Sequence, residues 1–267
     1  MNSKDFNIPT DVNDEIVVKT LGEFKVWRLQ HAVTDKDWGR DATVQLFQYL
    51  ITTRHRKGQH REQILDRLWP DLDVKSAEQQ FKVAIHGINK VLEPDRINRA
   101  EPKYILRQGI TYQLNMDLIW VDADYIEKHI AEGNQYSSED KQQAIQSYKK
   151  AISIHEGIYL PNRIYQDWSS EERERLQLLI IGSICELCEL VLEGNPHESI
   201  RLAQKALLID ITWEDAYRIM MTAYHQIGNR PMVIKTYKKC EQVLETEFGL
   251  DPLPRTRLYY TMAMGDK

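Results

Sequence analysis

The sequence predicts a mainly α-helical chain in two parts. A small domain of strands, three helices and a closing β-hairpin comes first, and an all-helical repeat array follows. Three observations carry this. Apolar residues alternate near the N-terminus, then switch to three- and four-residue spacing from Val44 onward. Two further alternating runs flank Gln108-Gly109 just before the chain turns wholly helical. In the second half a short string recurs. Gly194-Asn195 precedes Ile200, Ala203 and Ala206, Gly228-Asn229 precedes Ile234, Tyr237 and Cys240, and the paired positions lie 34 residues apart. That is the period of a tetratricopeptide repeat, a helix-turn-helix unit that buries its apolar face only by stacking on its neighbours.

Val18, Leu21, Phe24, Val26, Trp27 and Leu29 read as strands broken at Gly22, and a further short strand is expected over 31–38. Val44, Phe47, Leu50 and Ile51 mark a first helix, and the basic loop Arg54-His55-Arg56-Lys57-Gly58 follows it. Ile64, Leu65, Leu68 and Trp69 mark a second helix, stopped at Pro70. Ala77, Phe81, Ile85, Ile88 and Leu92 recur at helical spacing in a third, with Asp73 or Ser76 as its cap and Pro94 as its stop. The hairpin spans Tyr104 to Leu114. In the repeat array, Val121, Tyr125, Ile126 and Ile130 precede a helix carrying Ala144, Ile145, Tyr148, Ala151 and Ile152. Small residues at Ala151, Ala206 and Cys240 fit positions where repeat helices press together. Tyr148, Ala203 and Tyr237 fall on one repeat position, as core or as a concave protein- or peptide-contact surface.

The boundaries that follow are a disordered lead-in over 1–15, a first domain over 16–116 and a helical domain over 117–267. A length of 267 residues suits two domains of roughly 100–200 residues each. The net charge of −5 is unevenly spread, with +5 on 16–116, −3 on 1–15 and −7 on 117–267. A basic first half beside an acidic second half fits nucleic acid meeting only the first. No apolar run approaches a membrane span of roughly 18 residues, and the N-terminus lacks a signal-peptide pattern. Three cysteines make no disulfide framework and fit a reducing cytoplasm. Cys185-x-x-Cys188 sits inside a predicted helix with no second pair near it, so it reads as packing rather than as a metal or redox site. The eight histidines are scattered. There is no H-E-x-x-H and no Gly-rich phosphate loop. No enzymatic site, metal or cofactor is expected.

Strands, three helices and a terminal hairpin in this order describe a winged helix-turn-helix, in which the third helix enters the major groove. On a wheel with Phe81 at zero, Gln79, Val83, His86 and Lys90 fall on the far side, between about 140° and 200°, with Lys75 and Lys82 at its margin. Gln can pair with adenine, Val can touch a thymine methyl, and Lys meets phosphate or guanine. A solvated helix face has a similar composition, and the order of elements is what favours DNA. Lys103 and Arg107 on the hairpin, and Arg56, Lys57 and Arg61 before the second helix, are expected at phosphates.

These residues carry a family resemblance. Leu21-Gly22-Glu23-Phe24-Lys25-Val26, Leu68-Trp69-Pro70 and Ala77-x-x-x-Phe81-x-x-x-Ile85-x-x-Ile88-x-x-x-Leu92-Glu93-Pro94 resemble the OmpR-type winged helix of the Streptomyces antibiotic regulatory proteins. Val121-Asp122-Ala123-Asp124 is similar to the family's junction. Asp167-Trp168, Glu172-Arg173-Glu174-Arg175-Leu176, Gly228-Asn229-Arg230 and Glu247-Phe248-Gly249-Leu250-Asp251-Pro252 resemble its bacterial transcriptional activator domain. The resemblance covers about 17–260. It implies a bacterial regulator that binds double-stranded DNA and activates by contacting RNA polymerase, through sigma factor or the α-subunit. It also implies that Asp71 and Asp73, in the loop before the third helix, face the polymerase, although Asp73 could equally be a helix cap. The sequence departs from the family at Gly87-Ile88-Asn89, where Arg-Leu-Arg is usual. The runner-up is an adaptor or ligand sensor with weakened DNA binding. A monomer and a homodimer on DNA both stay open.

Overall fold

The computed structural model describes residues 14–97 and 99–265, so the predicted lead-in lies outside the described residues except for Asp14 and Glu15. The described chain forms two compact units.

Of the described residues, the first unit holds 14–97, 99–125 and 156–174. Strands β1 (Ile16–Lys19) and β2 (Lys25–Arg28) pair antiparallel, and β3 (His31–Ala32) joins β2 through Leu29-Gln30, both at positive φ. The strand expected over 31–38 stops at Ala32. Thr34 and Asp37 form a capping box, and a short helix α1 (Asp35–Trp38) replaces the rest. Next come α2 (Asp41–Thr52), β4 (Gln59–His60), α3 (Arg61–Leu68) and α4 (Val74–Leu92). Strands β5 (Ile105–Gln108) and β6 (Thr111–Leu114) form the hairpin, and β4 pairs with β6 on its other edge. Strand β7 (Ile119–Val121) returns parallel to β1 and completes a four-stranded sheet. Phe47, Leu50, Ile64, Phe81 and Ile88 are the buried centre. Burying such a side chain contributes about 1.5–3 kcal/mol, which is what fixes α4 against the other helices.

The junction after β7 is built around Asp122. Its fully buried carboxylate accepts the N–H groups of Thr20 (2.8 Å), Leu21 (2.9 Å) and Ala123 (2.8 Å) and the Thr20 hydroxyl (2.6 Å). Burial pushes its pKa above the ordinary carboxylate value, against those hydrogen bonds.

The expected boundary between 116 and 117 differs from the compact units in two ways. The first unit runs on to Tyr125, and it takes in Glu156–Glu174 from the middle of the helical half. Backbone bonds explain the second. Gly22 N–H donates to Ile158 O at 3.0 Å and Leu160 N–H to Thr20 O at 2.8 Å, so the segment docks against the end of β1. Gly22, at φ +85°, sits against Glu156 with room for no larger residue without adjustment. Lys19 pairs with Glu156, and Arg163 forks onto Asp41 and bonds Gln48.

The second unit holds 126–155 and 175–267. Its helices are drawn from α5 (Asp122–Tyr136), α6 (Lys141–Ser153), α7 (Asp167–Leu192), α8 (Pro196–Ile209), α9 (Glu214–Gln226), α10 (Arg230–Phe248) and α11 (Pro254–Gly265). The repeated Gly-Asn has a local cause. Asn195 accepts from Glu198 N–H and Asn229 from Met232 N–H, each capping a helix that has Pro in its first turn. Asp140 caps α6 in the same way. Ala151, Ala206 and Cys240 are all buried at close approaches. Tyr148 packs over Gly133, where a Cβ would lie 2.6 Å from its ring, and its hydroxyl donates to Asn134. Tyr148 and Ala203 are core, and Tyr237 is stacked on Tyr260 with ring centres 4.2 Å apart. Burial pushes the Cys185 thiol up to about 11 and the Cys188 thiol up as well, so both are held protonated within α7. No described helix is long and apolar enough to cross a membrane.

Candidate nucleic-acid interface

Helix α4 begins at Asp73, whose side chain accepts the N–H groups of Lys75 and Ser76. Of the two predicted caps it is therefore Asp73 that serves, and these bonds hold its carboxyl below the ordinary value. Lys75, Gln79, Lys82, His86 and Lys90 are exposed along one side of α4, and Val83 is half-buried among them. The opposite side is wider than the apolar spacing alone suggested. Ala84 and Val91 are buried with Ala77, Phe81, Ile88 and Leu92 of the predicted stripe, and so is Asn89, while Ile85 is half-buried.

The two positions that depart from the family have structural reasons. Gly87 faces α2, and a Cβ there would lie 2.8 Å from Thr43 Cγ2 and Oγ1. No long cation can leave the helix at that point without separating α2 from α4. Asn89 is buried, and its Oδ1 has no hydrogen-bond partner among the described residues. Leaving such an oxygen unpaired costs about 1–3 kcal/mol.

The hairpin lies beside α4. Phe81 and Tyr112 meet edge to face with ring centres 4.9 Å apart, and the Arg107 guanidinium lies over the Tyr112 ring, 5.6 Å from its centre. Arg107 also donates to Gly109 O at 2.9 Å, which holds it at the hairpin tip. Helix α4 and the hairpin thus meet through an aromatic contact.

The predicted phosphate ligands divide. Lys57, Lys75, Lys82, Lys90 and Arg107 meet no carboxylate among the described residues, and all are exposed. Arg56 pairs with Glu171 at 2.9 Å, Arg61 with Glu78 at 3.2 Å and Lys103 with Glu15 at 2.6 Å. Sequence reasoning missed the role of the first residue of the basic loop, Arg54. The Arg54 side chain is fully buried and pairs with Asp124 (2.6 Å) and Glu172 (3.1 Å). Burial alone would lower its pKa, and the two carboxylates outweigh that and raise it. Asp71 is exposed in the loop before α4.

A winged helix followed by paired helices defines a class of two-part regulators. The comparisons agree. The model of the bacterial transcriptional activator domain matches residues 121–261, more than half of the chain. The chain belongs to that family, and it joins this domain to a winged helix as the Streptomyces antibiotic regulatory protein-like transcriptional regulators do. Among solved structures, its fold is similar to that of Mycobacterium tuberculosis EmbR in complex with a low-affinity phosphopeptide. The TM-score is 0.79 at 14% identity, over 94% of this chain and 65% of that one. The chain therefore spans less than two thirds of that structure. No curated protein sequence matches it.

Proposed function

We propose that this chain is a cytoplasmic transcriptional activator that binds double-stranded DNA through α4 and the β5–β6 wing and contacts RNA polymerase through the loop before α4. The observation that carries the reading is the exposed row Lys75, Gln79, Lys82, His86 and Lys90, with Arg107 on the adjoining wing. It combines base-reading amides and imidazoles with phosphate-binding cations. In this reading the protein acts by binding and not by catalysis, without a metal or cofactor. The helical repeats offer a second surface, for a protein or peptide.

One experiment separates DNA binding from the adaptor alternative, which the internal pairing of Arg56, Arg61 and Lys103 favours. Five unpaired cations predict that log affinity for duplex DNA falls with log salt at a slope of about −4.5. A slope near zero, or no retention at low salt, supports the adaptor. The polymerase contact is tested by Asp71→Lys, which leaves the Asp73 cap intact. DNA binding should persist while activation in a purified transcription system is lost. Full activation by this variant would move the contact elsewhere.

A further inference from the structure

The recognition helix and the wing enclose an open cleft of about 530 Å³, within the range of small-molecule sites. Its walls are Phe81 and Ile85 from α4 and Ile105 and Tyr112 from the hairpin. Lys82 and Arg107 also line it. Neither pairs with a carboxylate among the described residues. Asn89 is the remaining feature. It lines the cleft and is 6% exposed, and its Oδ1, itself covered, has no hydrogen-bond partner among the described residues. A purely structural cleft between helix and wing gains nothing from an unsatisfied acceptor. A ligand site does, because a donor on the ligand would complete it once the amide turns into the cleft.

We infer that this cleft is an effector site for a flat organic anion, with an aromatic body between the α4 and hairpin walls, an N–H or O–H donor for Asn89 Oδ1, and an acidic group for Lys82 and Arg107. Glu101, also at the cleft, disfavours a second acidic group. Because Lys82 and Arg107 are proposed phosphate contacts, an occupant withdraws them from DNA. This regulatory step rests on the DNA-binding reading. The site itself does not.

Anilinonaphthalene sulfonate has all three parts and reports binding by fluorescence. With the full chain, a saturable one-to-one component is expected. Ile85→Trp should fill the cleft from the α4 side and weaken that component at least tenfold. Asn89→Leu should weaken it about tenfold while leaving the melting temperature equal or higher, since the unpaired oxygen is gone. If both folded variants keep wild-type affinity, the cleft is not the site. Should Ile85→Trp fail to fold, the Asn89→Leu result decides alone. Saturating probe should also reduce affinity for duplex DNA at least fivefold at fixed salt. Probe binding lost in the variants with DNA affinity unchanged by the probe would overturn the regulatory step. A chain that never binds duplex DNA, with or without probe, would overturn the DNA reading and the competition with it, and the variants would still decide the site.

Discussion

Gly87→Ala should destabilise the winged-helix unit, although alanine is the better helix former. In an open helix the change would contribute about 1 kcal/mol of added stability. Here the new Cβ would lie 2.8 Å from both Thr43 Cγ2 and Thr43 Oγ1. Thr43 is 2% exposed and sits in the first turn of α2, so it has no room to withdraw. Being β-branched, it places one γ atom or the other in the way when χ1 turns. The helices must separate, at an overpacking cost of about 1–3 kcal/mol. The net expectation is a loss of about 1 kcal/mol. With a urea slope of about 2 kcal/mol/M, that lowers the midpoint by roughly 0.5 M. The assay is urea unfolding of the wild type, Gly87→Ala and the double variant with Thr43→Ala. The double variant should recover the part of the loss that comes from the clash, a coupling of about 2 kcal/mol between the two sites, which is the net loss plus the masked helix-propensity gain. A Gly87→Ala protein that is more stable than wild type would refute the close approach, and with it the reason no cation stands at this position.

Three further outcomes follow from the same geometry. Gln79→Ala or His86→Ala should reduce preference for the true site by about 1–3 kcal/mol, while Lys90→Ala weakens all sequences alike, as read by competition binding. Equal loss on specific and random DNA for every variant would argue against base contact. Arg107→Ala should flatten the salt slope by about 0.9 and should also loosen the wing, since the guanidinium covers Tyr112; an unchanged slope would leave it a strand-end residue. Asp122→Ala strips the acceptor from three buried N–H groups and a hydroxyl, and should cost about 3–5 kcal/mol in urea unfolding, whereas a loss under 1 kcal/mol would mean the junction relaxes around the gap.

Much of the fold was legible because its causes are local. Asn195 and Asn229 recur because each caps a helix, and period-two runs became β1, β2, β5 and β6. The first repeat was harder to see. Its cap is Asp140, and α7 runs for 26 residues, which takes the following cap out of the 34-residue register. The solvent side of α4 was readable from the wheel, but the width of its core side was not. Helical phase alone cannot tell that Gly87 meets Thr43 or that Asn89 is buried. The basic loop misled for a different reason. Consecutive cations look solvated, and the carboxylates that take up Arg54 lie 70 and 118 residues further along the chain.

That last pairing bears on how basic the winged helix is in practice. The first domain carries an excess of five positive charges by sequence. Within the compact unit, Asp124, Glu171 and Glu172 are added to it, and they are spent on Arg54 and Arg56. All three acids belong to the span matched by the activator-domain family. A buried arginine such as Arg54 needs them, since an unpaired buried charge would cost several kcal/mol. Arg54 and Arg56 therefore serve the fold, and in the proposed reading the cations left for DNA are Lys57 in the loop, Lys75, Lys82 and Lys90 on α4 and Arg107 at the wing tip. Lys82 and Arg107 are among these and line the cleft together. In the proposed reading two of the five predicted phosphate ligands without a carboxylate partner stand at the cleft, so an anion that engages them removes a large share of the counterion-release term.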